Sequence, residues 1–255
     1  MSPRLLVLGS WDMRESALKS WAELGLDVTL VDRTASARPG PAAQRIDEDV
    51  WDSTLGAAPS SLPGRLAASA DGVVTLAEFC VLTAARAAQD AGLPGPGVAA
   101  ASVARDKLAI RRTLAAAGLP GPRFAEVRDE RDVAAFYDAP DAGDAVLKPA
   151  DSAGSTAVLR VSSAAQAAAA LPEVLKWSFS GTAILEELIP GREFSVEGIV
   201  QAGETTVAAV IEKSTTAEGF VEFRHVLPAR LRPEESAALI QATKDVVRAI
   251  GVQTS

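Results

Sequence analysis

Short apolar runs and amphipathic stretches alternate in the N-terminal part of the chain. Arg4–Leu8 and Asp27–Val31 are apolar runs that predict strands, and the apolar residues between Leu18 and Leu24 recur at helical steps. A strand, a helix and a strand in this order predict a βαβ unit and hence a parallel sheet. Gly72–Thr75 and Leu82–Ala91 predict a further strand and a further helix.

Two Pro- and Gly-rich segments, Leu93–Gly97 and Gly118–Pro122, enclose one predicted helix from about Ala101 to Ala117. Beyond them, short strands alternate with two helices and do not continue a doubly wound order. The predicted strands are Phe124–Val127, Ala145–Leu147, Val158–Val161, Ala183–Glu186, Phe194–Val200 and Thr206–Ile211, and the predicted helices are Asp132–Tyr137 and Ser163–Leu171. We therefore predict an α/β region followed by an α+β region, with a boundary between residues 95 and 120.

The composition and the net charge of the chain argue against several classes of protein. The 255 residues are 48% hydrophobic and 23% charged, as in soluble globular proteins of one or two domains. No uninterrupted apolar run is long enough to span a membrane, and the N-terminus turns polar after one short apolar run. We therefore expect no signal peptide and a cytoplasmic protein. The net charge of −8 argues against nucleic acid or an anionic membrane as a partner.

Cysteine and histidine each occur once, as Cys80 and His225. A disulfide framework and a cysteine zinc site are therefore excluded, and a histidine metal cluster is nearly so. Cys80 is expected to pack in the core. The residue pattern by itself predicts no metal ligand and no catalytic residue.

The usual phosphate-binding motifs do not occur in the sequence. There is no G-x-x-x-x-G-K-[ST] loop, and no G-x-G-x-x-G follows the first predicted strand. Asp32 ends the second predicted strand, where a dinucleotide-binding fold would hold a ribose. Without the glycine fingerprint, a helix or turn cap is the preferred interpretation of Asp32.

Three later segments carry residues suited to phosphate and nucleotide chemistry. Asp106 and Lys107 stand near the start of the predicted linker helix. Lys148 ends an apolar strand and precedes a loop of small residues, Ser152–Thr156, whose backbone N–H groups could approach an anion closely. The third segment, Ile184–Gly198, sets two adjacent carboxylates before a turn and two more at alternating positions after it.

Each of these segments also has a plain structural interpretation. Lys148 can be a solvated strand end, and Gly154-Ser155 can be a hairpin turn. Four glutamates can be charges that prevent an exposed sheet edge from pairing with another strand, namely Glu186, Glu187, Glu193 and Glu197.

The order and spacing of these segments resemble the ATP-grasp superfamily, especially its carboxylate–amine ligases of the amino-acid ligase branch. The resemblance is carried by Asp106-Lys107, Leu147-Lys148-Pro149, Gly154-Ser155, Leu185–Glu187 and Gly191–Glu193, and it extends from the first strand to about Leu231. It implies a Rossmann-like N-terminal domain over 1–100 and a linker helix over 101–122. An ATP-grasp domain would follow, with a lid subdomain over 123–187 and a partial C-terminal subdomain over 188–255.

The resemblance implies a role for each matching residue in binding ATP. Lys107 would meet the phosphates, and Lys148 would bridge adenine N7 and the phosphate tail. Gly154 and Ser155 would belong to a loop that closes over the phosphates, although Ala157 stands where relatives often have glycine. The hinge would consist of Glu186 near the exocyclic amine of adenine, followed by Glu187, Leu188 and Ile189, with backbone groups on the ring edge. Glu193 would hold the ribose hydroxyls.

The acceptor side of the resemblance is the segment Glu212–Ala229. It implies substrate contacts for His225 and Arg224, although His225 can equally be structural and Arg224 can be a surface residue. Glu78 follows a strand of the N-terminal domain, where relatives approach their substrate, but a helix cap or first helical turn is the alternative.

The function implied by the resemblance is ATP-dependent ligation. A small carboxylate, such as an amino acid, would be activated as an acylphosphate and attacked by an amine, with ATP and Mg²⁺ as cofactors. Relatives carry their Mg²⁺ carboxylates beyond a segment like Ile250–Val252, so we expect poor turnover by these residues alone. A homodimer and a companion chain or further C-terminal segment are partners that the resemblance allows. The alternatives are a catalytically inactive nucleotide-binding or regulatory module and an unrelated α/β protein with another small ligand.

Overall fold

The computed structural model describes residues 2–9, 15–33, 44–52, 61–140 and 142–255, and they form two units. The first unit contains the described residues up to Arg105 together with Gly251–Ser255. The second unit contains Asp106–Ile250. Within the described ranges, no helix combines the length and the apolar character that a bilayer crossing requires.

The first unit is built on a parallel sheet with helices. In chain order its elements are β1 (Arg4–Leu8), α1 (Glu15–Glu23), β2 (Asp27–Asp32), β3 (Gln44–Asp47), α2 (Ser61–Ala67), β4 (Gly72–Val74), a 3-10 turn (Glu78–Cys80), α3 (Val81–Asp90) and α4 (Val98–Ala104). The strand order is β3-β2-β1-β4, and every pairing is parallel. The predicted parallel sheet is therefore confirmed.

One strand and one α-helix of the first unit were not predicted. The sequence of β3 is Gln-Arg-Ile-Asp, which lacks the apolar run of a buried strand. The helix α2 contains an internal Pro-Gly pair, which is typical of a turn. In both elements, pairing and packing override the local preference.

Side chains alternate across β1 and so reach two apolar clusters. Leu6 and Leu8 pack with Cys80, whereas Val7 packs with Leu18. This arrangement explains why β1 is apolar throughout, since both of its faces are covered. Cys80 is buried as predicted, and burial, together with the nearby charge of Asp52, raises the pKa of its thiol well above the usual range.

The prediction of one continuous helix from Ala101 to Ala117 is wrong. The chain forms α4 and then a separate helix, α5 (Lys107–Ala116). Asp106 has an extended backbone (φ −127°, ψ 114°), and its carboxylate accepts hydrogen bonds from the backbone N–H groups of Leu108 and Ala109. Asp106 is therefore an N-cap that starts a new helix, and the boundary between the two units falls at this residue.

The second unit holds two antiparallel sheets. After α5 its elements are β5 (Phe124–Val127), α6 (Glu130–Tyr137), β6 (Ala145–Pro149), β7 (Leu159–Val161), α7 (Ala164–Leu175), β8 (Ala183–Glu187), β9 (Glu193–Gln201), β10 (Glu204–Thr215), β11 (Glu222–Val226) and α8 (Pro233–Ile250). One sheet has the order β5-β8-β6-β7, and the other has the order β11-β10-β9. The predicted strands and helices of this region are confirmed with shifted ends, whereas β11 and α8 were not predicted.

The four-stranded sheet has one face packed against α6 and α7 and another face that meets α5. Leu147 of β6 and Leu185 of β8 belong to the cluster on the first face, together with Val133 and Leu171. Their neighbours along the strands point the other way, and Ile184 packs with Leu108 of α5. The same alternation places Lys148 and Glu186 on the face that α5 covers.

Candidate functional site

A cleft of about 320 Å³ lies in the second unit. It is bordered by the N-terminus of α5, the end of β6, the loop after it, the start of β9 and the turn before β11. Five of the predicted nucleotide-binding residues line it, namely Lys107, Lys148, Gly154, Ser155 and Glu193. Its other lining residues are Val146, Pro149, Ser152, Ala153, Thr156, Val158, Phe220 and Glu222.

Lys148 is held at the cleft by a buried ion-pair triad. Its ammonium lies 2.6 Å from one carboxylate oxygen of Glu186, and the Nε of Arg111 lies 2.6 Å from the other. The side chain of Glu186 is only 6% exposed. Burial by itself would raise the pKa of Glu186, but the hydrogen bond from Arg111 and the charge of Lys148 outweigh it and hold that pKa below its usual range.

Lys107 is the first residue of α5 and is tied to the loop that follows β6. Its backbone N–H donates to the carbonyl of Ala150 at 2.9 Å, and its ammonium donates to the carbonyl of Ser152 at 2.5 Å. Because Asp106 fixes the start of α5, it also fixes where the charge of Lys107 stands. The structure thus brings two lysines to the same cleft.

The loop Ser152–Thr156 is a tight turn beside these lysines. Gly154 has a φ of +66°, which suits glycine, and Ser155 and Ala157 also have left-handed φ values of 56° and 53°. The Ser155 hydroxyl donates to the carbonyl of Phe220, at a distance of 3.1 Å, in the turn between β10 and β11. The loop is therefore connected to the three-stranded sheet by a side-chain hydrogen bond.

Asp151 anchors the beginning of this loop and was not singled out from the sequence. It is 1% exposed. Its carboxylate accepts hydrogen bonds from the backbone N–H groups of Phe179 (3.0 Å) and Ser180 (2.8 Å) and from the hydroxyl of Ser178 (3.0 Å). These partners precede β8 and lie far along the chain, so no local pattern could have revealed them.

Glu193 belongs to a second charged network, centred on Lys213 of β10. The Lys213 ammonium lies 3.1 Å from Glu193 on β9 and also contacts Glu222 on β11. The other carboxylate oxygen of Glu222 lies 2.9 Å from His225 Nε2. Burial opposes the charge of Lys213, but hydrogen bonds from its ammonium to Glu222 and Glu193 raise its pKa. The hydrogen bond from Lys213 lowers the pKa of Glu222 in turn.

The predicted hinge residues follow the end of β8. The backbone N–H of Glu187 donates to the Arg123 carbonyl at 2.9 Å, and that of Leu188 donates to the Asp144 carbonyl at 2.9 Å. Ile189 is 62% exposed, and none of the backbone carbonyls in the described residues accepts a hydrogen bond from its N–H.

None of the three predicted substrate residues, Glu78, Arg224 and His225, lines the cleft. Arg224 is exposed on β11 and lies opposite Ser214 in the ladder. Glu78 belongs to the first unit, where it begins the 3-10 turn and accepts a hydrogen bond of 2.6 Å from the buried Arg105. The roles of Glu78, Arg224 and His225 toward a substrate stay predictions.

The carboxylates on the cleft wall do not fit a Mg²⁺ site. Glu193 and Glu222 are both engaged by Lys213. Among the residues that the structure describes, no group of three or more His, Cys, Asp or Glu side chains could hold a metal ion. Mg²⁺ requires oxygen ligands in near-octahedral geometry, and a lysine between two carboxylates opposes that arrangement.

Comparison with known proteins relates this arrangement to one family. Residues 143–255 match the family model of the ATP-grasp domain. No curated protein matches the chain.

Solved structures resemble the chain over nearly its whole length. An L-amino acid ligase from Bacillus licheniformis has a TM-score of 0.81 at 22% identity, over 100% of this chain and 61% of its own. A phosphoribosylglycinamide synthetase from Anaerococcus prevotii has a TM-score of 0.73 at 18% identity, over 99% of this chain and 63% of its own. A carboxyaminoimidazole ribonucleotide synthase from Aspergillus clavatus, complexed with ATP, has a TM-score of 0.77 at 17% identity, over 99% of this chain and 60% of its own.

These identities are low, so the likeness shows a shared fold. The chain spans about three fifths of the length of each of these three structures.

Proposed function

We propose that the cleft of the second unit binds ATP and serves an ATP-dependent carboxylate–amine ligase, because residues 143–255 match the family model of the ATP-grasp domain. The observation that carries this proposal is the gathering of Lys107, Lys148, the Ser152–Thr156 loop and Glu193 on the wall of one cleft. These groups come from separate segments of the chain, and the resemblance to the family implies a nucleotide-binding role for each.

The phosphates would lie against the two lysines and the small-residue loop. Lys107 and Lys148 supply positive charge within reach of the cleft, and the turn around Gly154 allows backbone N–H groups to approach phosphate oxygens. The Ser155 hydroxyl, which donates to Phe220, would have to exchange this partner if it were to contact a phosphate.

The base and the ribose would extend toward the hinge and β9. The resemblance would place the carboxylate of Glu186 near the exocyclic amine of adenine. In the structure Arg111 and Lys148 hold its two oxygens and it does not line the cleft, so this contact would require one of the two cations to share the carboxylate. The backbone N–H of Ile189 has no backbone acceptor among the described residues and suits a ring nitrogen. Glu193 would accept the ribose hydroxyls in exchange for, or in addition to, its ion pair with Lys213.

The reaction would join a small carboxylate, with an amino acid as the prime candidate, to an amine. A carboxylate oxygen of the substrate attacks the γ-phosphorus of ATP, which forms an acylphosphate and releases ADP. The amine then attacks the acyl carbon, loses a proton and displaces phosphate. The lysines of this chain would offset the negative charge of the phosphates during transfer, and the loop would position them.

The other segments of the chain would correspond to further parts of the family's architecture. We infer a Rossmann-like domain over 1–100, in keeping with the parallel order β3-β2-β1-β4, and a linker over 101–122. The lid and partial C-terminal subdomains would be 123–187 and 188–255. Glu78, Arg224 and His225 are the candidates for contact with the carboxylate or the amine. A cytoplasmic location stays a prediction.

A second candidate is a nucleotide-binding module without catalysis. One observation favours it: Lys213 forms ion pairs with both carboxylates on the cleft wall, Glu193 and Glu222, so that neither is free to bind a metal ion. Such a module would bind ATP by the same residues, but it would form no amide bond. Assays of product formation separate the two candidates, whereas assays of binding do not.

The first experiment is calorimetric titration of the 255-residue protein with Mg-ATP. Lys148→Ala and Glu193→Ala should each weaken binding about tenfold or more, since each removes a contact to the nucleotide. Lys176→Ala is the matched control, because Lys176 is exposed and pairs only locally with Glu173. Failure of the folded wild-type protein to bind ATP would contradict the proposal.

A further inference from the structure

We propose that Arg111 is a positioning residue for the nucleotide phosphates. In this view it neutralises Glu186 and thereby leaves the positive charge of Lys148 available to a ligand in the cleft. The inference rests on the proposed function, since it assigns a role within the same nucleotide site.

Arg111 reaches Glu186 because of its position on α5. It follows Lys107 by four residues, so the two side chains lie on the same face of the helix. Leu108, between them in sequence, packs on Ile184 of β8 and fixes the helix against the sheet. Lys107 then stands at the loop, while Arg111 donates to the Oε1 of Glu186 over 2.6 Å.

The two cations divide the carboxylate of Glu186 between them. Arg111 contacts Oε1 and Lys148 contacts Oε2. Two positive groups and one negative group leave the triad with one net positive charge. Without Arg111, Lys148 and Glu186 would form an ion pair with no net charge, and their mutual attraction would be stronger because the carboxylate would be shared with no other cation.

Of the three residues of the triad, Lys148 is the one that presents its positive charge to the cleft. Lys148 lines the cleft, whereas Glu186 is almost fully buried and neither Glu186 nor Arg111 lines it. A phosphate therefore meets Lys148 and is attracted by the charge that Arg111 leaves uncompensated. Arg111 acts through Lys148, and for this reason it is a positioning residue and not a ligand of the nucleotide.

The adjacent residue provides a matched control. Arg112 follows Arg111 on the same helix, is 60% exposed and pairs with Glu126 at 2.5 Å. Arg111→Gln should weaken ADP binding about tenfold in calorimetry, and Arg112→Gln should change it by less than about twofold. Arg111→Lys keeps the charge and should bind ADP within about threefold of wild type.

A double-mutant cycle separates this role from a structural one. In a Lys148→Met background, Arg111→Gln should cause no further loss of ADP affinity, because Lys148 is the group through which Arg111 acts. The same loss in both backgrounds would overturn the inference and leave the proposed function standing. Absence of ADP and ATP binding by the wild type would overturn both.

The folding of each variant is checked by thermal melting. If Arg111→Gln does not fold, the ADP affinity of Arg111→Lys tests whether Arg111 acts through its charge. Wild-type-like affinity in Arg111→Lys supports a role of charge, whereas a tenfold loss in this folded variant would show that the shape of the guanidinium matters instead and would overturn the inference.

Discussion

The ammonium of Lys213 lies 3.1 Å from the carboxylate of Glu193, across the pairing of β10 with β9. The two residues are direct partners in the antiparallel ladder. Lys213 is only 15% exposed, so its charge is held in place rather than solvated. The residue proposed to hold the ribose is thus fixed by a lysine that also binds Glu222.

Substitution of Lys213 by methionine should weaken ATP binding by roughly threefold to tenfold. Two carboxylates on the cleft wall would lose their common cation, and their negative charge would repel the phosphates. Calorimetry on Lys213→Met measures the effect, with Lys176→Met as the exposed control. Tighter binding in Lys213→Met would contradict this prediction and would mean that Lys213 competes with the ribose for Glu193.

Substitution of Asp151 by alanine should lower the free energy of unfolding by about 2–4 kcal/mol. The buried carboxylate accepts three hydrogen bonds, and its loss leaves the donors of Ser178, Phe179 and Ser180 without that acceptor. Urea unfolding gives the value. Asp138→Ala, at an exposed position, should change it by less than about 0.5 kcal/mol. Equal stability of the two variants would show that the Asp151 contacts contribute little.

The stability of the protein should depend on Glu186 at acid pH. The pKa of Glu186 lies below its ordinary value of 4.5 in the folded protein, so its ionised form favours folding. This contribution is present above pH 4.5 and is lost as the pH falls through the lower folded pKa. Urea unfolding between neutral pH and about pH 3 should therefore show a shallower loss of stability in Glu186→Gln than in wild type. Glu204→Gln, at an exposed position, should follow the wild type; an identical slope in Glu186→Gln would refute the assignment.

Turnover by the 255-residue protein should be slow or absent even where ATP binds. The cleft carboxylates are engaged by Lys213, and the described residues contain no group suited to a metal ion. Release of ADP is measured with mixtures of small carboxylates and amines, alongside amide formation by mass spectrometry. Robust ATP-dependent amide formation would contradict this expectation.

Sequence patterns predicted the parts of the site that depend on strand ends and loops. Lys148 stood out because an apolar strand ends there, and Gly154 because small residues follow. Glu193 stood out because carboxylates alternate along a strand. These signals are local, and the structure brings the three residues to one cleft.

Contacts between distant segments could not be predicted in the same way. Arg111 and Glu186 are separated by 75 positions, and nothing near Arg111 distinguishes it from Arg112 until the helix is placed on the sheet. The break at Asp106 was missed because alanine-rich sequence surrounds it and masks the cap. The strand β11 was missed because four of its five residues are exposed, so it lacks the buried apolar face that marks a strand in the sequence.

The N-cap at Asp106 limits the changes in length that α5 can tolerate. It sets the rotational phase of α5, so that Lys107 points to the loop and Arg111 to the buried carboxylate one turn later. Insertion of a single residue between these two positions would rotate Arg111 by about 100° around the helix axis and turn it away from Glu186. Length changes should therefore be tolerated poorly here, even where every side chain is retained.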